Sequence, residues 1–501
     1  MELKNQPIKQ RLIHGSLWNL IYLVISRIGA LIFSILAARI LLPEGYGLYN
    51  LVISVVLVFF SLSDLGINQG MTILVSKYFS NKKRAASYFQ FFIKIKFLLL
   101  LGVSLILFVF AYLISPLIFK QPGFNFLLLS GAIYALTLSL DTFFASLFFI
   151  SGKLIFQNIK EFIFQALRIS LFLLFILLLP ESKVLATLLA LVVASFISLA
   201  FSYLSNLKSS SFLFIKSSEK IDKAKILKFL IFLTLGSLTT ILFSYADTFI
   251  MGIFLRDEFI GLYRAAGNLM IGLIAFINMS PVILPVLMKI KQKDLASSFN
   301  RLAKYFFVLS IPLTVGMIFF SKQAINIVYG TAYKDSTLLL AILSLTSLPF
   351  IFIALYGTLL SRFQDSKSLA KSAVFFSILN ISLVLISVIS LRSSPYHATI
   401  GVAIASALAY FSQLIFLIVL CKRKYKISLK INKALSPFIA SLVMLAYLFL
   451  INYFFNFSWL VLLATIVSAA LLYFIVLFLF RYFDSYDTNL IKKIIPFKII
   501  Q

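Results

Sequence analysis

The sequence predicts an all-α integral membrane protein of about 14 transmembrane helices, built as two parallel six-helix repeats plus two C-terminal helices. Three observations predict it. Apolar runs of about 20 residues recur along the chain. Lysine and arginine favour alternate loops between these runs. One set of motifs returns at a fixed offset.

The apolar runs come first. Of 501 residues, 61% are hydrophobic and 12% charged, whereas soluble domains are nearer half apolar and a quarter charged. In lipid every backbone polar group must be bonded internally, so such runs are helices. A β-barrel would need strands of about 10 residues with alternating polarity, and Leu98–Ile114 and Val461–Phe480 do not alternate. The formal net charge of +29 is not read as a nucleic-acid footprint, because the basic residues lie between apolar spans. There they act as topology signals and contacts to anionic membrane lipids. A single cysteine, Cys421, allows no internal disulfide and no cysteine metal site. Lys4, Lys9 and Arg11 lead into a long apolar segment without a small-residue cleavage signature. That segment reads as a retained first helix, not a signal peptide.

The predicted spans are 14–42, 47–69, 88–115, 125–150, 155–179, 184–207, 226–254, 260–287, 302–321, 337–361, 371–391, 398–420, 434–453 and 457–480. With the N-terminus inside, 33 Lys and Arg fall on the inner side and 6 outside, the other 6 lying within or at the edges of spans. Lys153 and Lys160 are counted inside as one loop. The bias places both termini in the cytoplasm of a cell-membrane protein. Pro43, Pro116, Pro122, Pro180 and Pro395 in outer loops suit tight helix-ending turns. Loops are short, leaving no room for a soluble catalytic domain.

The repeat follows. Glu44-Gly-Tyr-Gly-Leu-Tyr49 matches Glu258-Phe-Ile-Gly-Leu-Tyr263 at an offset of 214, which also carries Lys120 to Lys334 and Lys153 to Lys367. A unit of six helices has an even number of crossings, so the two halves are parallel repeats about an axis along the membrane normal. The expected domains are a bundle over residues 1–207, a cytoplasmic linker 208–225, a second bundle 226–420, two added helices within 434–480, and a cytoplasmic tail 481–501. Such bundles suit rocking about a central cavity.

Ionisable residues inside spans are costly, which makes them functional candidates. They are Arg27, Arg39, Asp64, Asp141, Glu161, Arg168, Asp247 and Arg264. Arg27 and Asp247 lie well inside helices 1 and 7, symmetry mates expected to line the cleft; an arginine there can bind a phosphate, and an aspartate can orient it or couple to an ion. The bland alternative is a buried pair that locks the bundles. Arg39 and Arg264 either snorkel, pair locally or act on substrate. Asp64 suits a helix-terminal role. Glu161 and Arg168, seven residues apart, share a face of helix 5 and read as a satisfied network or a functional pair. Asp141 has no clear local partner. Tyr46, Tyr49 and Tyr263 suit an aromatic belt. No Walker A loop, paired-aspartate metal site or cofactor motif is present, and His14 and His397 are isolated, so no catalytic, cofactor or metal residue is expected.

Ala38-Arg39-Ile-Leu-Leu-Pro43-Glu-Gly-Tyr-Gly47-Leu-Tyr49 and Asp64-Leu-Gly-Ile67 resemble the polysaccharide-biosynthesis/oligosaccharide flippase family. So do Asp247-Thr-Phe-Ile-Met-Gly252, Gly261-Leu-Tyr-Arg-Ala-Ala266 and Tyr329-Gly-Thr-Ala-Tyr333. This family lies in the multidrug/oligosaccharidyl-lipid/polysaccharide exporter superfamily. The resemblance covers nearly the whole chain. It implies translocation of a polyprenyl-diphosphate-linked oligosaccharide to the outer leaflet, a cationic central cavity and a side groove for the lipid tail. Arg27, Arg39, Arg168 and Arg264 are then the substrate-binding candidates, and Asp64, Asp141, Asp247 and Glu161 the coupling or charge-pairing ones. Coupling to H+ or Na+ stays open. Two rivals are a cation-coupled multidrug efflux antiporter, with Pro281 and Pro285 flanking its helix 8, and a membrane polysaccharide polymerase or ligase. The short outer loops count against the enzyme.

Overall fold

The computed structural model describes residues 8–217, 219–277, 287–288, 290–454, 459–484 and 487. No strand occurs among them. Helix α1, Ile8–Asp64, bends at Leu42, whose φ is 59° and ψ 174°. Pro43 causes the bend: proline lacks an N–H and drives its predecessor out of the helical region. The predicted first two spans are therefore the two helices that meet at this break. Next come α2 (Ile67–Lys77), α3 (Lys82–Val109), a π turn (Phe110–Ile114) and α4 (Ser115–Phe119). They are followed by α5 (Phe124–Ser151), α6 (Leu154–Leu178), α7 (Lys183–Ser209), α8 (Lys223–Phe254) and α9 (Asp257–Ile277). The chain continues with α10 (Leu295–Phe319), α11 (Ser321–Val328), α12 (Ser336–Ser344) and α13 (Ser347–Arg362). It ends with α14 (Ser366–Ser390), α15 (Pro395–Tyr425), α16 (Leu435–Phe454) and α17 (Trp459–Leu479). Pro281 and Pro285 lie outside the described residues.

Eleven stretches among the described residues are long and apolar enough to cross a membrane. The bend of α1 divides the first of them, and α8 and α9, at 32 and 21 residues, are each long enough to span. That agrees with about 14 crossings. Apolar side chains face outward, as lipid allows: Leu98, Leu101 and Leu177 are 71%, 71% and 79% exposed.

The chain forms two compact units. The first comprises Met1–Gly272, Val328–Leu339 and Ala373–Ser406; the second comprises Leu273–Ile327, Leu340–Ser372 and Ala407–Gln501.

In the first unit the two copies of the repeat motif touch through their glycines. A Cβ on Gly47 would overlap the Asp257 carbonyl oxygen and lie 2.6 Å from its carbon. One on Gly261 would overlap the Pro43 carbonyl oxygen and lie 2.8 Å from its carbon. Only glycine lets two backbones approach so closely. Around this crossing, Tyr46 bonds Ser34 at 2.7 Å and accepts from Asn268 at 2.9 Å, while Tyr333 donates to the Ala38 carbonyl at 2.8 Å. Tyr46 and Tyr263 are buried and Tyr49 is half-buried. The expected aromatic belt is thus corrected for Tyr46 and Tyr263, whose phenols serve internal hydrogen bonds and not an interface with headgroups.

The segment after α7 is packed, not loose. Leu213 is fully buried in a cluster with Met71, Phe89, Phe92, Phe143 and Leu147. Ser217 Oγ accepts from Ser87 at 2.9 Å and donates to the Lys83 carbonyl at 2.8 Å, and Gln90 donates to the Ile215 carbonyl.

The second unit is fastened by polar contacts at its helix ends. Arg362 donates to the Leu287 and Ile290 carbonyls. Lys304 and Tyr305 both donate to Asp487 in the tail. Burial pushes the Asp487 carboxyl up, but hydrogen bonds from Lys304, Tyr305 and the Asp484 backbone outweigh it and hold it at about 2. An unfolded aspartate titrates near 4. The anchor's stabilisation is therefore complete above about pH 4 and is lost as pH falls toward 2. Asp487→Ala leaves Lys304, whose side chain is 3% exposed, with the more exposed Asp484 carboxylate 3.6 Å away, and the lost charge-assisted hydrogen bond is expected to cost about 2 kcal/mol. Thermal unfolding with limited proteolysis of the tail checks this; an unchanged midpoint would show the anchor to be inert.

Candidate functional site

Six of the eight charged residues predicted inside spans fall into three sets, all within the first unit. In the first, Asp64 at the end of α1 pairs with Lys96 of α3 at 3.1 Å. Lys96 is fully buried and lies 5.9 Å from the Phe60 ring centroid. Asp64 also accepts from the Asn68 backbone at 3.4 Å, so the expected helix-terminal role has a geometric counterpart.

The second set joins α8, α9 and α15. Asp247 accepts from the Thr248 backbone at 2.6 Å and from the Tyr263 hydroxyl at 2.6 Å. Arg264 Nη2 lies 3.6 Å from the same carboxylate, and its guanidinium sits 5.2 Å from the Tyr245 centroid. Tyr263 further bonds Ser406 at 3.3 Å. Asp247 and Arg264 are buried, so the motif positions of α8 and α9 form one salt-bridged corner. Arg27 lies half-buried on α1. Arg39 is exposed, and its Nε donates to the Val328 carbonyl at 2.7 Å.

The third set lies among α5, α6 and α7. Asp141 is fully buried and does have a partner: Lys160 Nζ at 2.7 Å. Ser198 and Ser202 also donate to it, at 3.0 and 2.7 Å. Lys160 is thus not a loop residue; it sits within α6, buried. Glu161 accepts from Gln165 at 2.7 Å and faces Lys160 at 3.6 Å.

Arg168, two turns beyond Glu161, differs from every other cation of the three sets. It is 9% exposed, and its Nε and Nη2 have no hydrogen-bond partner among the described residues. Among those residues it also forms no ion pair. Its guanidinium lies 4.6 Å from the Phe33 centroid and 5.4 Å from that of Phe164, with Tyr49 and Tyr134 close by. The expected satisfied Glu161–Arg168 network is corrected here, because Glu161 spends its contacts on Lys160 and Gln165. Cation–π contacts soften the burial of a guanidinium, but they leave N–H groups unmet that a phosphate or carboxylate would satisfy.

An apolar cleft of about 330 Å³ opens between α1, α3 and α5, lined by Phe60, Leu100, Leu107, Leu129 and Leu136.

A family model described as polysaccharide biosynthesis protein matches residues 12–291. The chain belongs to that family. No curated protein matches the chain. Among solved structures it is similar to one titled lipid II flippase MurJ in an inward closed conformation. Identity is 19%, coverage 94% of this chain and 99% of that one, and the TM-score 0.73. It is also similar to the Vibrio cholerae MATE transporter VcmN in a bent form, with 13% identity, coverage of 83% and 99%, and a TM-score of 0.54. A third is the MATE multidrug transporter DinF-BH, with 17% identity, coverage of 85% and 98%, and a TM-score of 0.56. The chain therefore shares the multi-helical fold of these structures.

Lys96 and Lys160 were not among the candidates. A lysine inside or just within an apolar span, with a lone aspartate on another span, is the signal that could have found them.

Proposed function

We propose that the chain moves a polyprenyl-diphosphate-linked oligosaccharide from the cytoplasmic to the outer leaflet, for assembly of a surface polysaccharide or glycan. The observation that carries this reading is Arg168: a buried guanidinium with two unmet donor nitrogens and no ion pair among the described residues is a place for an anion. Arg27 and Arg264 are the further cations for the diphosphate. The apolar cleft beside α3 has the chemistry for the prenyl tail. The two six-helix repeats, 1–207 and 226–420, are the halves that rock, with both termini cytoplasmic. Outward transfer of negative headgroup charge runs down an inside-negative potential, gaining about 2.3 kcal/mol per charge for each 100 mV.

A multidrug antiporter would want an unneutralised acid for a cationic drug. Asp64, Asp141 and Asp247 each have a lysine or arginine within 3.6 Å, which favours the flippase.

The test uses purified protein in liposomes. Fluorescent polyprenyl-diphosphate oligosaccharide starts in one leaflet, with a cationic dye in parallel. Lipid signal is expected to become accessible to an external quencher faster than in protein-free vesicles, and Arg27→Ala is expected to stop it. Dye movement on a proton or sodium gradient, without lipid movement, would replace the flippase by the efflux reading.

A further inference from the structure

The cluster around Lys160 is built from oxygens. Both carboxylates face its ammonium, Asp141 at 2.7 Å and Glu161 at 3.6 Å. Ser198 donates to the Asp141 oxygen that Lys160 holds, and Ser202 to the other. Asp141, Lys160 and Glu161 are 0%, 5% and 5% exposed. On the same helix the buried Gln157 and Gln165 amide oxygens have no donor among the described residues. From α1, Tyr22 is the neighbouring titratable group, and Arg168 lies two turns away on α6. A buried set of carboxylate and hydroxyl oxygens is the donor chemistry of a hard-cation site.

We infer that this is a monovalent-cation site filled from within, with the Lys160 ammonium standing where a Na+ or K+ would otherwise bind. The inference goes beyond the proposed transport reaction and does not need it to be true. A tethered ammonium cannot be released to either side of a membrane. The first unit therefore balances the charge of Asp141 permanently and exchanges no ion at this locus.

A purely structural ion pair predicts something different. Cutting it by removing the lysine would only leave an uncompensated buried carboxylate. A filled cation site, emptied of its lysine, takes up the ion.

The experiment removes the ammonium and keeps the volume, with Lys160→Met. Thermal unfolding in detergent is followed at pH 8 while NaCl or KCl replaces N-methylglucamine chloride at constant ionic strength. The variant's midpoint is expected to rise by several degrees and saturate with Na+ or K+. The double variant Lys160→Met/Asp141→Asn is expected to lose that dependence, leaving only whatever response the wild type shows. Binding of radioactive Na+ should follow the same order, with about one more ion per chain in Lys160→Met than in the double variant. No added cation response in Lys160→Met overturns the inference, as does a response that survives Asp141→Asn. Failure to recover folded Lys160→Met even in high Na+ and K+ also overturns it, because an occupied site would restore the fold.

Discussion

Arg168→Met is expected to abolish lipid-linked oligosaccharide transport while raising thermal stability. The two effects have one cause. In this structure the guanidinium is buried with two donors unmet and no ion pair among the described residues, so it is a net cost to the fold. Replacing such a charge with an apolar side chain of similar length is expected to gain about 1 kcal/mol or more. For transport the sign reverses. Two charge-assisted hydrogen bonds to a phosphate contribute about 1.5–3 kcal/mol each, so their loss reduces transport roughly 100-fold or more. Arg168→Lys keeps the charge but not the planar fork, and falls between the two. The liposome assay and a thermal melt on the same preparations check this. A variant that is less stable and still transports would make Arg168 a packing residue.

The second large effect is expected at Gly261. In an ordinary helix interior, glycine to alanine gains up to about 1 kcal/mol from backbone entropy. Gly316→Ala should show that gain, since its Cβ would meet nothing within 4 Å. At Gly261 the new methyl would run into the Pro43 carbonyl, 2.8 Å from its carbon and nearer still to its oxygen, and this is backbone that cannot swing aside. The α1 and α9 backbones must part. Overpacking of this kind costs about 3 kcal/mol. Thermal midpoints of the two variants, measured side by side, decide it. If Gly261→Ala melts no lower than Gly316→Ala, the close approach does not hold in the folded protein.

The spans were legible because a bilayer demands about 20 apolar residues per crossing, and nothing else in a chain produces that pattern so regularly. Pro43 announced an interruption, and the non-helical backbone at Leu42 divides the run into the two helical limbs expected. The repeat motif was legible as similarity, but not as contact. That Gly47 and Gly261 meet is a property of packing, and the sequence shows only that each is a glycine. The candidate charges were legible one by one, because charge inside an apolar run stands out. Their partners were not. Asp141 and Lys160 lie on different helices, and Lys160 is close enough to a helix start to pass for a loop lysine. The emptiness around Arg168 was beyond reach for the same reason: an unmet donor is defined by everything that fails to surround it. Tyr46 and Tyr263 were misplaced because an amphipathic ring suits a membrane interface and a buried hydrogen bond equally well.

The packed segment after α7 sets a leash. With Ser217 held on α3 by Ser87 and Lys83, the path to Lys223 at the head of α8 is only six residue steps. Fully drawn out, six steps reach about 20 Å. As long as Ser217 keeps its seat, the start of α8 can swing no farther than that from its mooring. Amplitude is thus capped by a count of peptide bonds, whatever drives the movement.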